Sequence, residues 1–242
     1  ILLTSIPLIF IIQQPDFGTG MVYLLPILPM LYWANIDTKK IVLYIFPFIS
    51  MLAQQNLIAF YIWMFLLIVI LLLISKKIIH VIINFIINSA SGLLAPYVWE
   101  HALHPYHQKR ILALLYPGSE PLGSGYQILQ SKVAIGSGGL LGKGLGEGTQ
   151  SYLRFLPIKD SDFILSVISE EMGFLFIIII ATIFISFIYF NIDFAQRLFN
   201  RFQSINIIGF SSLLFFHMII NMSMVVGLFP VIGLPFPFIS YG

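Results

Sequence analysis

From Leu57 to Ile74 the chain runs without a single charged residue, and that stretch sets the solvent it is built for. A helix rises about 1.5 Å per residue and needs about 20 apolar residues to cross a bilayer. The run 57–74 reaches that scale, and runs at about 164–190 and 204–229 exceed it. Charged residues make up only 9% of the chain, against about 25% in soluble domains. A chain so poor in charge has too little polar surface to cover itself in water, and a mean hydropathy of +0.97 agrees. The expected class is an all-α, polytopic helical membrane protein. Its formal net charge of +2 says little, because position matters more than sum in a membrane. The absence of cysteine excludes disulfide and thiolate chemistry. The sequence starts at Ile1 inside an apolar run and stops at Gly242 inside a Pro/Gly-rich motif. It therefore reads as one membrane domain over 1–242, truncated at both ends.

Further apolar runs lie at about 1–12, 20–34, 41–53 and 78–99. The runs 20–34 and 41–53 are short and contain proline, which predicts kinks or packing inside a bundle. In 78–99, Asn84, Asn88, Ser89, Ser91 and Gly92 suit a helix interface better than lipid. Basic residues then orient the chain. Lys39–Lys40, Lys76–Lys77 and Arg197 with Arg201 occupy alternate short connections, whereas Gln13 to Thr19 and Gln54 to Asn56 contain no Lys or Arg. The positive-inside rule places the basic connections in the cytoplasm and the others outside. The same alternation puts a long segment, 100–163, outside. Loops of that length are rarely structureless in a compact protein, so this extracytoplasmic loop is expected to be folded. Ile111–Leu115 and the periodic Gln127–Ile135 predict short helices within it.

Several motifs could carry chemistry. The glycine-rich stretch Ala134 to Gln150 fails the Walker A pattern, with Ser137 and Gly144 at the decisive positions, and contains no GxGxxG. What remains is either a flexible loop or a backbone rich in N–H donors around Lys143. Ser161 and Asp162 sit where a helix N-cap belongs, just before the run 164–190. Alternatively, Asp162 is a carboxylate at the outer membrane surface placed to act as a general base. Asp160 lies two residues away, and local physics does not choose between the two acids. Glu170 and Glu171 fall roughly 12 Å deeper if helical; carboxylates there are costly and need partners. Asp16, in Gln13-Gln-Pro-Asp-Phe-Gly-Thr19, is a turn or cap candidate on the same side. The apolar segment Asn221–Gly242 is broken by prolines and glycines, so it is expected to turn back within protein rather than face lipid.

Taken in order, QPDFGT at 14–19, YHQKR at 106–110, the stretch from Pro121 to Gly144, GTQS at 148–151, FLPxxxSDFI at 155–164, SEEMG at 169–173 and GLFPVIGLPFPFISYG at 227–242 resemble the SEDS family (RodA, FtsW and SpoVE). The wording around Gln130-Ser-Lys132 and Gly142-Lys-Gly144 is nearer the RodA, or elongation, branch. The resemblance covers residues 13–20 and about 105–242. Two departures stand out: Asp160-Ser161 occurs where the family usually has His-Thr, and the region 40–100 has the length of one extra helical hairpin.

The resemblance implies a ten-helix-type fold in the bacterial cytoplasmic (inner) membrane with its active site on the extracytoplasmic side. It implies a peptidoglycan glycosyltransferase that joins lipid II units onto a growing glycan strand, and a class B penicillin-binding protein as transpeptidase partner. The family's essential aspartate maps onto Asp162. In-line attack by a sugar hydroxyl on a polyprenyl-diphosphate donor asks for a base and for cations on the leaving group. Asp162 is the expected base; Lys109, Arg110, Lys132, Lys143 and Arg154 are candidate diphosphate contacts; Asp16, Asp160 and Glu170 are candidate supporting acids. No cofactor is implied, a divalent metal would be compatible, and the partners are membrane lipid and substrate rather than nucleic acid. A flippase for lipid II is the rival reading, since intramembrane acids and broken segments suit transport too. A non-catalytic scaffold is a third.

Overall fold

The computed structural model describes residues 7, 10–11, 17–75, 77–116, 123–149 and 161–241. All regular structure among them is helical. The helices divide into two compact units, 31–104 on the one hand and 1–30 with 105–242 on the other. Among the described residues, four helices are long and apolar enough to cross a membrane, at Leu57–Ile74, Ile78–His101, Ile164–Arg197 and Arg201–Val225.

The two proline-containing runs are broken, as their sequence predicts. Residues 17–33 form α1 (Phe17–Leu24) and α2 (Ile27–Trp33), separated by a turn at Leu25–Pro26. The next run forms α3 (Thr38–Leu43) and α4 (Phe46–Ala53), with Pro47 in the first turn of α4. Proline has no N–H to give a preceding turn but fits the start of a helix, where that donor would be unpaired anyway. Short polar side chains set other starts. Asp37 accepts from the Lys39 amide at 3.1 Å, and Asn56 accepts from the Ile58 amide at 2.9 Å to open α5 (Leu57–Ile74). Each cap satisfies a helix N–H that has no partner within the helix.

Within the unit 31–104, α5 packs with α4 and α6 (Ile78–Tyr97). Of the polar and small residues of α6 expected at an interface, Asn88 and Gly92 are buried, whereas Asn84, Ser89 and Ser91 are only partly covered; Ile86, Leu93 and Leu94 are exposed. Ser50 Oγ donates to Asn88 Oδ1 at 2.9 Å, and Trp63 Nε1 donates to Ser50 Oγ at 2.8 Å. Amides and hydroxyls satisfied in this way bind helices where lipid gives apolar contacts no advantage. Pro96 lies in the last turn of α6, which passes into a π-helical turn at Val98–Ala102.

The other unit holds two short helices of the long connection, α7 (Pro105–Leu115) and α8 (Ser124–Gly138), followed by α9 (Ile164–Arg197) and α10 (Arg201–Val225). Both short helices fall where the apolar patterning placed them. A core that includes Ile128, Phe163, Phe184, Met224 and Phe236 joins α8, α9, α10 and the segment after α10. Ser131 ties the three helices together: its hydroxyl donates to the Val225 carbonyl at 2.6 Å and lies 2.8 Å from Ser166 Oγ. After Val225 the chain loses helical form and folds back, with Val231, Leu234 and Phe236 buried. Only part of this irregular backbone is covered by protein, as is required of such backbone at membrane depth; Leu228, Phe238 and Tyr241 are exposed.

Candidate active site

Asp162 stands at the start of α9, and its residue is only 7% exposed. The helix begins at Ile164 with Phe163 as the preceding residue and no side chain capping it. The Asp162 carboxylate is therefore not spent on the N-cap, one of the two uses its sequence position allows. Its Oδ1 accepts from Ser161 Oγ at 2.9 Å. The backbone beneath it is pinned from two sides. Asn221 Nδ2, fully buried in α10, donates to the Asp162 carbonyl at 3.0 Å and to the Leu234 carbonyl at 2.6 Å. Ser240 Oγ donates to the Ser161 carbonyl at 2.8 Å while accepting from the Phe236 amide at 2.7 Å. One amide and one hydroxyl thus lock the folded-back segment 226–241 against the turn that carries the acid.

Arg110 reaches the same place from α7. Its guanidinium lies 4.1 Å from the centre of the Tyr106 ring and donates to the Tyr106 hydroxyl. A β-carbon built on Gly233 would lie 3.6 Å from Asp162 Oδ2 and 4.0 Å from Arg110 Nη1, so acid and cation flank one glycine. Lys132 projects from α8 against Gly227 of the same folded-back segment. Lys109 is exposed on α7.

Lys143 is differently placed. Its Nζ lies 2.7 Å from Glu170 Oε1, a carboxylate with no exposed surface. Glu170 Oε1 also accepts from the Thr149 amide at 2.9 Å, from Thr149 Oγ1 at 2.8 Å and from Ser137 Oγ at 3.4 Å. The partners its depth demands are supplied by the glycine-rich stretch. That stretch also donates its Lys143 and Gly144 amides to the Glu170 and Glu171 carbonyls, each at 3.0 Å. In return, the Phe174 and Leu175 amides donate to the Gly139 and Leu140 carbonyls. These bonds exist because Gly173, at φ 81° and ψ 174°, interrupts the helical path of α9 and frees backbone groups on both sides. Two N–H donors of the glycine-rich sequence do reach carboxylates, and both carboxylates are the protein's own: the Thr149 amide donates to Glu170 Oε1 and the Gly146 amide to Glu171 Oε2 at 3.2 Å.

Asp16, Arg154 and Asp160 lie outside the described residues. Among the described residues no three His, Asp or Glu side chains gather as a metal site. Reading the sequence did not single out Tyr106, Asn221, Gly233 or Ser240. Three of them sit inside motifs noted for their resemblance, but only folding brings them to Asp162.

Residues 38–242 match the family profile described as cell cycle protein, FtsW/RodA/SpoVE. The chain belongs to the FtsW/RodA/SpoVE family. This family member is 44% identical over 147 residues to peptidoglycan glycosyltransferase MrdB of Escherichia coli K12, a match covering 61% of the chain and 40% of that relative. It is 44% identical over 154 residues to the probable peptidoglycan glycosyltransferase FtsW of Trichlorobacter lovleyi, covering 63% and 40%. The matched region thus spans about 40% of the length of these curated relatives. A solved chain described under "Structural coordination of polymerization and crosslinking by a peptidoglycan synthase complex" shares the fold, with a TM-score of 0.58 at 21% identity. That likeness covers 100% of this chain and 54% of the solved one. For this FtsW/RodA/SpoVE member, family and helical multi-pass membrane architecture agree with the sequence-based expectation.

Proposed function

We propose that this protein is a peptidoglycan glycosyltransferase of cell elongation, which polymerises lipid II on the outer face of the cytoplasmic membrane with Asp162 as general base. The observation that carries the reading is the state of Asp162. It is a nearly buried carboxylate, free of capping duty, fixed through its backbone by Asn221 and Ser240, and set across Gly233 from Arg110. The names of the MrdB and FtsW relatives support the same activity.

Asp162 takes the proton of the attacking sugar hydroxyl as its oxygen bonds to the anomeric carbon of the donor. The bond from that carbon to the diphosphate breaks, and the electron pair leaves with the diphosphate. A departing diphosphate is already an anion, so a guanidinium serves it better than an acid would. Arg110 fills that role, with Lys109 on the same helix and Lys132 on α8 as further cations. A class B penicillin-binding protein is the partner that would cross-link the product.

The test uses purified full-length protein, lipid II and a class B partner in detergent, where no membrane barrier exists and flipping limits nothing. Glycan polymer is the expected product. Its absence would remove the polymerase reading and favour the flippase. Sidedness has its own measurement in this cysteine-free chain. A cysteine at Leu145, a residue 75% exposed, should react with an impermeant thiol reagent on intact protoplasts, and a cysteine at Ser75 should not. The reverse pattern would invert the topology and move Asp162 to the cytoplasmic side.

A further inference from the structure

Opposite charges this close usually meet, and Asp162 and Arg110 do not. Their facing atoms, Oδ2 and Nη1, lie 3.6 and 4.0 Å from one point above Gly233 and are at most the sum of these apart, yet they form no ion pair. Each group is held by its own tether. Ser161 Oγ holds the carboxylate and Asn221 its backbone, while the Tyr106 ring and hydroxyl hold the guanidinium. The anchors come from α7, from the turn before α9 and from α10, so the two charges are positioned independently of each other. Gly233, at φ 72°, forms the floor between them.

We propose that Gly233 is a specificity-determining residue whose missing side chain keeps open a slot between Asp162 and Arg110 for the reacting ends of two polyprenyl-diphosphate-linked sugars. The acceptor hydroxyl lies against Asp162, and the diphosphate oxygens of the donor lie against Arg110. This rests on the polymerase reading above and adds to it the place where donor and acceptor meet. Inverting displacement requires the base and the leaving-group cation on opposite sides of the anomeric carbon. An ion pair closed across the slot would neutralise the base and the cation together. An open slot keeps both available until substrate enters.

Two substitutions separate space from backbone conformation. Asn tolerates positive φ better than Ala does, but it is longer. Ala is more strained, yet its β-carbon would make only ordinary contacts with Asp162 and Arg110. If Gly233 serves only its backbone angle, Gly233→Asn should outperform Gly233→Ala. If it keeps the slot open, the order reverses. We expect Gly233→Asn to melt close to wild type in detergent, and to polymerise lipid II about tenfold or more slowly than Gly233→Ala. Binding of undecaprenyl diphosphate, measured by calorimetry, should weaken in the same order. Asn equal to or better than Ala in both measurements overturns the proposal. Wild type that makes no polymer but binds undecaprenyl diphosphate more tightly than Gly233→Asn would defeat the polymerase reading and keep the slot as a diphosphate site. Wild type that neither polymerises nor binds better than Gly233→Asn defeats both. If Gly233→Asn does not fold, Gly233→Ser takes its place, with the same expected rank below Ala and the same overturning result.

Discussion

Asp162→Asn is expected to lower glycan polymerisation by about 10²–10⁴-fold, the range a positioned general base contributes, while the protein still folds and inserts. The amide has the shape of the carboxylate, and its oxygen can accept from Ser161 Oγ as Asp162 Oδ1 does. The tethers from Asn221 and Ser240 reach backbone carbonyls, so they survive the change. No helix cap is lost, because the side chain makes none. What goes is the ability to take a proton. The measurement is polymer formed per minute in detergent, beside melting temperature and retention of the class B partner. Equal rates for wild type and mutant would keep the enzyme and remove Asp162 from its mechanism.

Gly173→Ala is expected to destabilise the fold by about 3 kcal/mol or more, combining strain at a backbone conformation other residues rarely adopt with disruption of a buried ionic contact. The β-carbon would sit 2.4 Å from the Gly142 nitrogen and 2.4 Å from the Leu140 oxygen, which are backbone atoms with no rotamer to escape into. The glycine-rich stretch would have to lift away. With it would go the four backbone hydrogen bonds around the break and the Lys143 and Thr149 contacts to Glu170, leaving a fully buried carboxylate short of partners. Melting in detergent and protease cutting near 143–149 report the two halves of this effect. Gly136→Ala is the control, since nothing lies within 4 Å of its β-carbon and it sits inside α8. Gly173→Ala melting like Gly136→Ala would mean that the stretch is not clamped to α9.

The membrane class, the long helices and the family were legible in the sequence because they rest on local or linear signals. Leu57–Ile74 spans by length and apolarity alone, Pro26 and Pro47 mark their own breaks, and Asn88 and Gly92 show by their chemistry that α6 has an inward side. Asp162 was legible as a candidate, since its position before an apolar run permits both a cap and a base. Only the tertiary structure showed that its side chain makes no cap, because capping depends on where the neighbouring amides point. The same limit governed the cations. Lys143 and Arg110 look alike in the sequence, but one neutralises Glu170 while the other faces Asp162 across Gly233. Charge is a property of a residue, whereas its partner is a property of the fold. Chain segments separated by 59 and 79 residues, Asn221 and Ser240 against Asp162 and Ser161, must meet before the acid has a fixed place. No periodicity or spacing encodes a contact of that range.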